Sequence, residues 1–166
     1  MARYRPPAPP KSPYITAQGY QQLEQESKSL WLKRREVTKA LAAAAAEGDR
    51  SENAEYIYRK KELREIDRRL RYLQTRLPKL RIIDQPPGNQ AQVFFAAWVT
   101  LEDKNGNESI YRLVGPDEID HQPNYISIDS PLAKSLIKCH LDEQITVETP
   151  GGKQAYWITA IRYTNK

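Results

Sequence analysis

The sequence predicts an α+β protein, with an N-terminal antiparallel α-helical coiled-coil hairpin followed by an antiparallel sheet with one covering helix. Two patterns support this fold class. Apolar residues recur at alternating spacings of three and four between residues 17 and 77, and Gly48 interrupts them near the middle. Beyond Pro86 the pattern changes to short apolar runs separated by turn signals, which is typical of strands.

Charge divides the chain near the same place. Residues 1–84 contain 19 Lys and Arg against 11 Asp and Glu, whereas residues 85–166 contain 7 against 10. The net charges are therefore +8 and −3, which together give the +5 of the whole chain. This asymmetry indicates two modules, the basic one facing a polyanion, although a solvated helix pair would show the same excess.

The first 13 residues form a basic, proline-rich arm with five prolines, three basic residues and no acid. Proline lacks an amide donor and the arm has little to bury, so we expect it to be disordered or extended. Sequence alone leaves its role open.

A long helix is predicted over residues 17–46, with Thr16 as its N-cap. A second helix is predicted from about residue 52 to residue 77, ended by Pro78, with Arg59 at one seam position. The two apolar seams are, in order, Tyr20, Leu23, Ser27, Leu30, Arg34, Val37, Leu41 and Ala44, and then Tyr56, Leu63, Ile66, Leu70, Leu73, Leu77 and Leu80. Two such stripes joined by a short break predict an antiparallel hairpin over residues 14–84, with its tip at residues 47–52.

A linker at residues 85–89 leads to a C-terminal domain over residues 90–166. The predicted strands cover residues 92–101, 110–114, 125–128, 144–149 and 154–163. Asn-Gly in residues 104–107 and Gly151-Gly152 mark two hairpin turns. Ser130-Pro131 is the N-cap and first residue of a short helix that ends near residue 138.

Several functional classes are excluded or weakened. No window holds the roughly 18 apolar residues of a membrane span. Arg3 and Arg5 are not followed by an apolar stretch, so the N-terminus is not a secretory signal. Cys139, His121 and His140 are too few ligands for a structural zinc site. We therefore expect a reduced, cytoplasmic protein with no metal or cofactor of its own when free. The sequence contains no glycine-rich phosphate loop, no Cys–His pair at useful spacing and no nucleophile elbow, so no motif in it indicates an enzyme.

The tip contains two carboxylates, Asp49 and Glu52, three residues apart. In one interpretation they form a capping box at the start of the second helix. In the other, both project to one side and share a single cation. Two exposed carboxylates hold Mg²⁺ weakly, so such a site would be completed inside another protein that supplies further ligands and phosphate.

A basic stripe follows the tip. It comprises Arg59, Lys60, Lys61, Arg64, Arg68, Arg69, Arg71, Arg76, Lys79 and Arg81, against only three acids in the same stretch. Such a stripe can hold a phosphate backbone. Tyr56 and Tyr58 lie between tip and stripe, and we expect Tyr56, on the seam, to pack rather than stack on a base.

The tip GDRSENAEY, the helix KKELREIDRRLRYL, the segment YISIDSPLAKSLI and the later TPGG resemble the Gre transcript-cleavage factors of bacterial RNA polymerase. The resemblance covers about residues 14–163, and the stripe and Arg50-Ser51 are closer to the GreB branch. It implies a C-terminal domain similar to FKBP prolyl isomerases, docked at the rim of the polymerase secondary channel, with the hairpin passing to the active centre. It also implies that the factor is not itself an enzyme but stimulates the polymerase's own Mg²⁺-dependent cleavage of backtracked RNA.

The resemblance also implies residue roles. Asp49 and Glu52 match the acids that assist the polymerase-held second Mg²⁺, and Lys60, Lys61, Arg64 and Arg68 match the stripe that contacts the nascent RNA 3′ segment. Ser127, Asp129 and Pro131 match the polymerase-docking loop, although a strand end and helix cap would look the same. We expect a monomer. The alternatives are a channel-binding regulator without cleavage activity and an adaptor that binds RNA or DNA.

Overall fold

The computed structural model describes residues 4, 6–48 and 53–163. The chain divides into two compact units. One is Tyr20–Leu80, and the other combines the N-terminal residues up to Gly19 with the chain from Arg81 onward. The helical unit is thus shorter at both ends than the predicted hairpin over residues 14–84. Both flanking segments belong to the sheet unit, where β1 (Tyr14–Ile15) and β2 (Arg81–Ile82) form a short parallel pair.

The hairpin consists of α1 (Ala17–Ala45) and α2 (Ala54–Arg76), and a 3-10 turn (Leu77–Lys79) follows α2. Thr16 caps α1 as predicted, because its hydroxyl oxygen accepts a hydrogen bond from the Gly19 N–H at 3.0 Å. Every predicted seam position is buried or half-buried. The cross-helix ion pairs Glu26–Arg69 and Arg34–Asp67 run in opposite order along the two helices, so the pairing is antiparallel.

The sheet unit contains five further strands in the spatial order β5-β4-β3-β7-β6. Their bounds are β3 Trp98–Asp103, β4 Glu108–Val114, β5 Tyr125–Ser127, β6 Gln144–Thr149 and β7 Gly152–Arg162. All neighbouring pairs are antiparallel except β4 and β5, which are parallel. That exception arises because the segment containing the 3-10 helix Pro116–His121 returns the chain to the level of Arg112 before β5 begins.

The core of this unit lies between the sheet and α3 (Pro131–Leu136). Ser130 caps α3 as predicted, through a bond from the Ala133 N–H to the Ser130 hydroxyl oxygen, and the helix ends two residues before the predicted residue 138. The buried core residues are Val93, Ala97, Val99, Leu101, Leu113, Ala133, Leu136, Ile145, Val147 and Ile158.

One strand prediction was wrong. The run over residues 92–101 is not a single strand, because Ala96 has a φ of +70° and the chain turns there before β3 begins at Trp98. Gln92 forms only an isolated bridge with His140. Both predicted hairpin turns are present, with Gly106 and Gly152 at φ values of +82° and +108°. Within the described part of the chain, no helix combines the length and apolarity needed to cross a bilayer.

Candidate functional site

The two helices of the hairpin meet at Asn53. Its side-chain oxygen accepts a hydrogen bond from the Tyr56 N–H at 3.1 Å, which caps α2, and its side-chain nitrogen donates to the Ala44 carbonyl at 2.7 Å. One amide side chain therefore starts α2 and ties it to the end of α1. The chain leaves α1 and enters α2 at the same end of the hairpin.

The N-cap at Asn53 corrects one interpretation of the tip. A capping box formed by Asp49 and Glu52 would start the second helix near residue 50, whereas α2 starts at Ala54. Asn53 is therefore the N-cap of α2. Asp49 and Glu52 themselves lie outside the described residues, so their shared-cation role stays a prediction.

Some of the basic residues have partners inside the hairpin. The Arg69 guanidinium forms a bidentate contact with the Glu26 carboxylate: Nη2 donates to Oε2 at 2.9 Å, and Nε donates to both oxygens at 3.1 Å. Arg59, at its seam position, bonds to Glu55 and Glu62, and the Glu55 bond raises the pKa of the guanidinium. The Arg69 pair joins the two helices, whereas both bonds of Arg59 lie within α2.

Other basic residues form an exposed face of α2 with no carboxylate partner among the described residues. We call this set the basic face, and it comprises Lys60, Lys61, Arg64, Arg68 and Arg71. From Lys61 onward the spacings are three, four and three, and Lys60 lies four residues before Arg64, so the set follows one side of the helix, away from the seam. All four predicted RNA-contacting residues belong to this face, and their role stays a prediction.

The two tyrosines behind the tip differ in exposure. Tyr56 is half-buried, as its seam position predicts, with the Lys60 ammonium 5.8 Å from its ring centre. Tyr58 is exposed, with the Arg59 guanidinium 5.6 Å from its ring centre. Tyr58 is therefore the one of the two with a solvent-facing ring.

The predicted docking loop connects β5 to α3. Ser127 ends β5 and accepts a hydrogen bond at its hydroxyl from the Asp129 N–H at 3.0 Å, while Pro131 is the first residue of α3. The Ser130 N–H also donates to the Ser127 carbonyl at 2.9 Å. The structure thus brings Ser127, Asp129 and Pro131 together in one tight turn.

The Asp129 carboxylate has a partner that the sequence did not predict. The Ser12 N–H donates to one carboxylate oxygen at 2.9 Å, and the Ser12 hydroxyl donates to the other. The C-terminal end of the proline-rich arm is therefore anchored on the predicted docking loop. Between Pro6 and Pro13 the arm has no helix or strand, which agrees with the extended alternative for this part of it.

Sequence reasoning also missed Glu118, a fully buried carboxylate. It accepts hydrogen bonds from the Thr16 N–H at 2.9 Å, the Thr16 hydroxyl at 2.5 Å and the Gly115 N–H at 3.0 Å. A Cβ on Gly19 would clash with a Glu118 side-chain oxygen. No local sequence signal identifies Glu118, because its partner Thr16 is about a hundred residues away.

The remaining chemistry-bearing side chains do not converge. Burial raises the pKa of the Cys139 thiol, and His140 bonds to Glu143 at 2.9 Å and lowers the pKa of that carboxyl. Within residues 4, 6–48 and 53–163, no three side chains of His, Cys, Asp or Glu are grouped to hold a metal ion.

The fold and the candidate site define a two-module protein with a helical hairpin, a basic helix face and a sheet domain. Two family models match nearly the whole chain. They are described as "Transcription elongation factor, N-terminal", over residues 13–82, and "Transcription elongation factor, GreA/GreB, C-term", over residues 88–163. The chain therefore belongs to the GreA/GreB family of transcription elongation factors.

Curated relatives agree over almost their full length. A "Transcription elongation factor GreB" of Pseudomonas aeruginosa is 50% identical over 164 residues, which is 98% of both chains. The Yersinia pestis protein of the same name is 54% identical over 154 residues, 92% of this chain and 90% of the relative. Among solved structures, GreA factor homolog 1 (Gfh1) of Thermus thermophilus is 26% identical, with a TM-score of 0.42 over 90% of this chain and 97% of that one.

Proposed function

We propose that this elongation factor binds bacterial RNA polymerase and stimulates the polymerase's own cleavage of backtracked RNA, so that arrested complexes resume synthesis. In this proposal the sheet domain docks at the rim of the secondary channel, and the hairpin tip enters the channel. The observation that carries the proposal is family membership over both modules, with relatives of about 50% identity named GreB. In this role the chain would complete the active site of the polymerase and would not need an active site of its own.

The tip acids suit a shared ion. Carboxylate oxygens are the ligands that Mg²⁺ prefers, and two of them are too few to hold it without phosphate or further ligands. Asp49 and Glu52 would supply those oxygens, and the polymerase would supply the rest of the site. When bound, the ion would polarise the scissile phosphate and lower the pKa of a water.

The basic face would hold the displaced RNA. Lys60, Lys61, Arg64 and Arg68 are exposed and have no carboxylate partner in the described part of the chain, so their charges are available to a phosphate backbone. Ser127, Asp129 and Pro131 would contact the polymerase. RNA cleavage would then require this chain only to bind the polymerase and to position the RNA and the ion.

The test is RNA cleavage in stalled, backtracked polymerase complexes. We expect Asp49→Asn and Glu52→Gln each to abolish stimulated cleavage while polymerase binding is retained. Glu47→Gln is the matched control, because it removes an exposed carboxylate just before Gly48 and is expected to leave cleavage intact.

Two outcomes would favour the alternatives. Full cleavage with both acids neutralised contradicts the shared-ion mechanism. Polymerase binding without stimulated cleavage by the wild-type protein would instead favour a channel-binding regulator. An adaptor would show salt-sensitive binding to free nucleic acid and no dependence on the tip.

A further inference from the structure

An exposed tryptophan lies beside the basic face of the hairpin. Trp31 on α1 is 43% exposed, and with Arg34, Asp67, Leu70, Arg71 and Gln74 it lines an open depression of about 340 Å³. A second depression, lined by Arg64, Asp67, Arg68 and Arg71, shares two of these residues. The two depressions therefore form one continuous surface, which we call the Trp31 groove.

The charge of this groove is positive and uncompensated. Its one acid, Asp67, bonds to Arg34 at 2.7 Å, so that pair is balanced within the groove. Arg64, Arg68 and Arg71 have no carboxylate partner among the described residues and lie at spacings of four and three along α2. The groove thus presents three available guanidinium groups in a row.

The Trp31 ring is not among the apolar side chains that pack on the buried seam cluster of the hairpin. It lies off the seam, which passes through its neighbour Leu30 and through Arg34, and no described ring or cation stacks on it. Lys28 and Arg35 share its face of α1 and are exposed. An exposed aromatic ring among basic residues is the arrangement with which proteins bind single-stranded nucleic acid, because bases stack on the ring while cations hold the phosphates.

We propose that the Trp31 groove adds a base-stacking site to the basic face: the Trp31 ring stacks on a base of single-stranded RNA and Arg71 contacts a neighbouring phosphate, beside the Arg64 and Arg68 contacts already assigned to that face. The RNA would be the extruded 3′ segment, so this identification rests on the proposed function. Arg71 lies 17 residues beyond Ala54, about 26 Å along α2. Only long extruded segments would reach the groove, and Trp31 would extend the RNA path from α2 onto α1.

Direct binding tests the groove without any cleavage step. Fluorescence anisotropy would measure the affinity of the full chain for a labelled single-stranded oligoribonucleotide. We expect Trp31→Ala to weaken binding about tenfold, as for the loss of one stacked base. Trp31→Phe, which keeps an aromatic face, should retain most of the affinity, and Trp31→Leu should behave like Trp31→Ala. Leu32→Ala, which truncates a neighbouring side chain that is 60% exposed, is the matched control.

Three results would overturn the proposal: unchanged binding by Trp31→Ala, equal binding by Trp31→Leu and Trp31→Phe, or an equal loss in Leu32→Ala. Because this assay needs no polymerase, it separates failure of the groove from failure of the proposed function. In backtracked complexes, Trp31→Ala should impair cleavage of long extruded RNA and spare short RNA. An equal loss on both would place Trp31 against the polymerase instead and would overturn the RNA assignment.

Discussion

The Glu118 carboxylate accepts hydrogen bonds from both the backbone N–H and the hydroxyl of Thr16, the residue that caps α1. Glu118 is fully buried, Thr16 is 5% exposed, and the Gly115 N–H donates to the same carboxylate. Three donors thus satisfy one buried acidic side chain, and no basic residue in the described part of the chain forms an ion pair with it. This contact fixes the residues that precede α1 within the sheet unit.

The first prediction concerns removal of this carboxylate. Glu118→Ala leaves the Thr16 and Gly115 amides buried without their acceptor, and we expect the free energy of unfolding to fall by about 2–4 kcal/mol in urea denaturation. Glu118→Gln keeps one acceptor oxygen and should cost less. Asp120→Ala, on the exposed side of the same 3-10 helix, is the control and should change stability by less than about 0.5 kcal/mol. A loss in Glu118→Ala no greater than that of the control would contradict this role.

Periodic parts of the fold were predictable, and contacts between distant segments were not. The seams, the Thr16 cap, the Ser130 cap and both glycine turns follow from patterns within a few residues. The pairing of β1 with β2 joins segments that are about 67 residues apart, and no local pattern encodes it. The break at Ala96 is hidden for another reason, since an alanine within an apolar run gives no sign of a left-handed backbone.

A second prediction concerns pH. The Asp103 carboxylate accepts hydrogen bonds from the backbone N–H groups of Asn107 and Asn105 in the β3–β4 turn, and these bonds lower its pKa below 3.8. Since the folded pKa is the lower one, the contribution to stability is present above pH 3.8 and is lost as the pH falls through the folded value.

The measurement for the second prediction is urea denaturation over a pH series. Asp103→Asn keeps an acceptor oxygen and cannot titrate, so the stability difference from wild type should shrink below about pH 4. A difference that stays constant from neutral to acid pH would show that the ionised carboxylate does not stabilise the turn.

A third prediction separates two roles of Asp129. If Asp129 contacts the polymerase directly, Asp129→Ala should weaken polymerase binding about tenfold, as for other important interface side chains. Ser12→Ala removes the hydroxyl that bonds to Asp129 but leaves the carboxylate, so affinity should stay equal or rise. Affinity would be measured by titration of labelled factor with polymerase. If Ser12→Ala loses as much as Asp129→Ala, Asp129 acts by anchoring the arm and not by docking.

The candidate site was predictable only in part, for physical reasons. The basic stripe is visible in the sequence, but its division into ion-paired and available residues depends on the partner helix. Arg69 and Arg68 are neighbours in sequence, yet only Arg69 faces Glu26. In the same way, the exposure of Trp31 follows from its position off the seam, while its proximity to Arg71 requires the antiparallel register of the two helices.

The last prediction uses that division of the stripe. Changing Lys60, Lys61 and Arg64 together to Gln should weaken cleavage of long extruded RNA more than of short, because fewer phosphates of the long segment are held. For free single-stranded RNA, the slope of log affinity against log salt should fall by about 0.7 for each phosphate that the variant no longer neutralises. Arg69→Gln is the matched control, because Arg69 is already bound to Glu26 and its removal should leave that slope unchanged. Equal losses on long and short RNA, or an equal slope change in Arg69→Gln, would argue against RNA binding by the basic face.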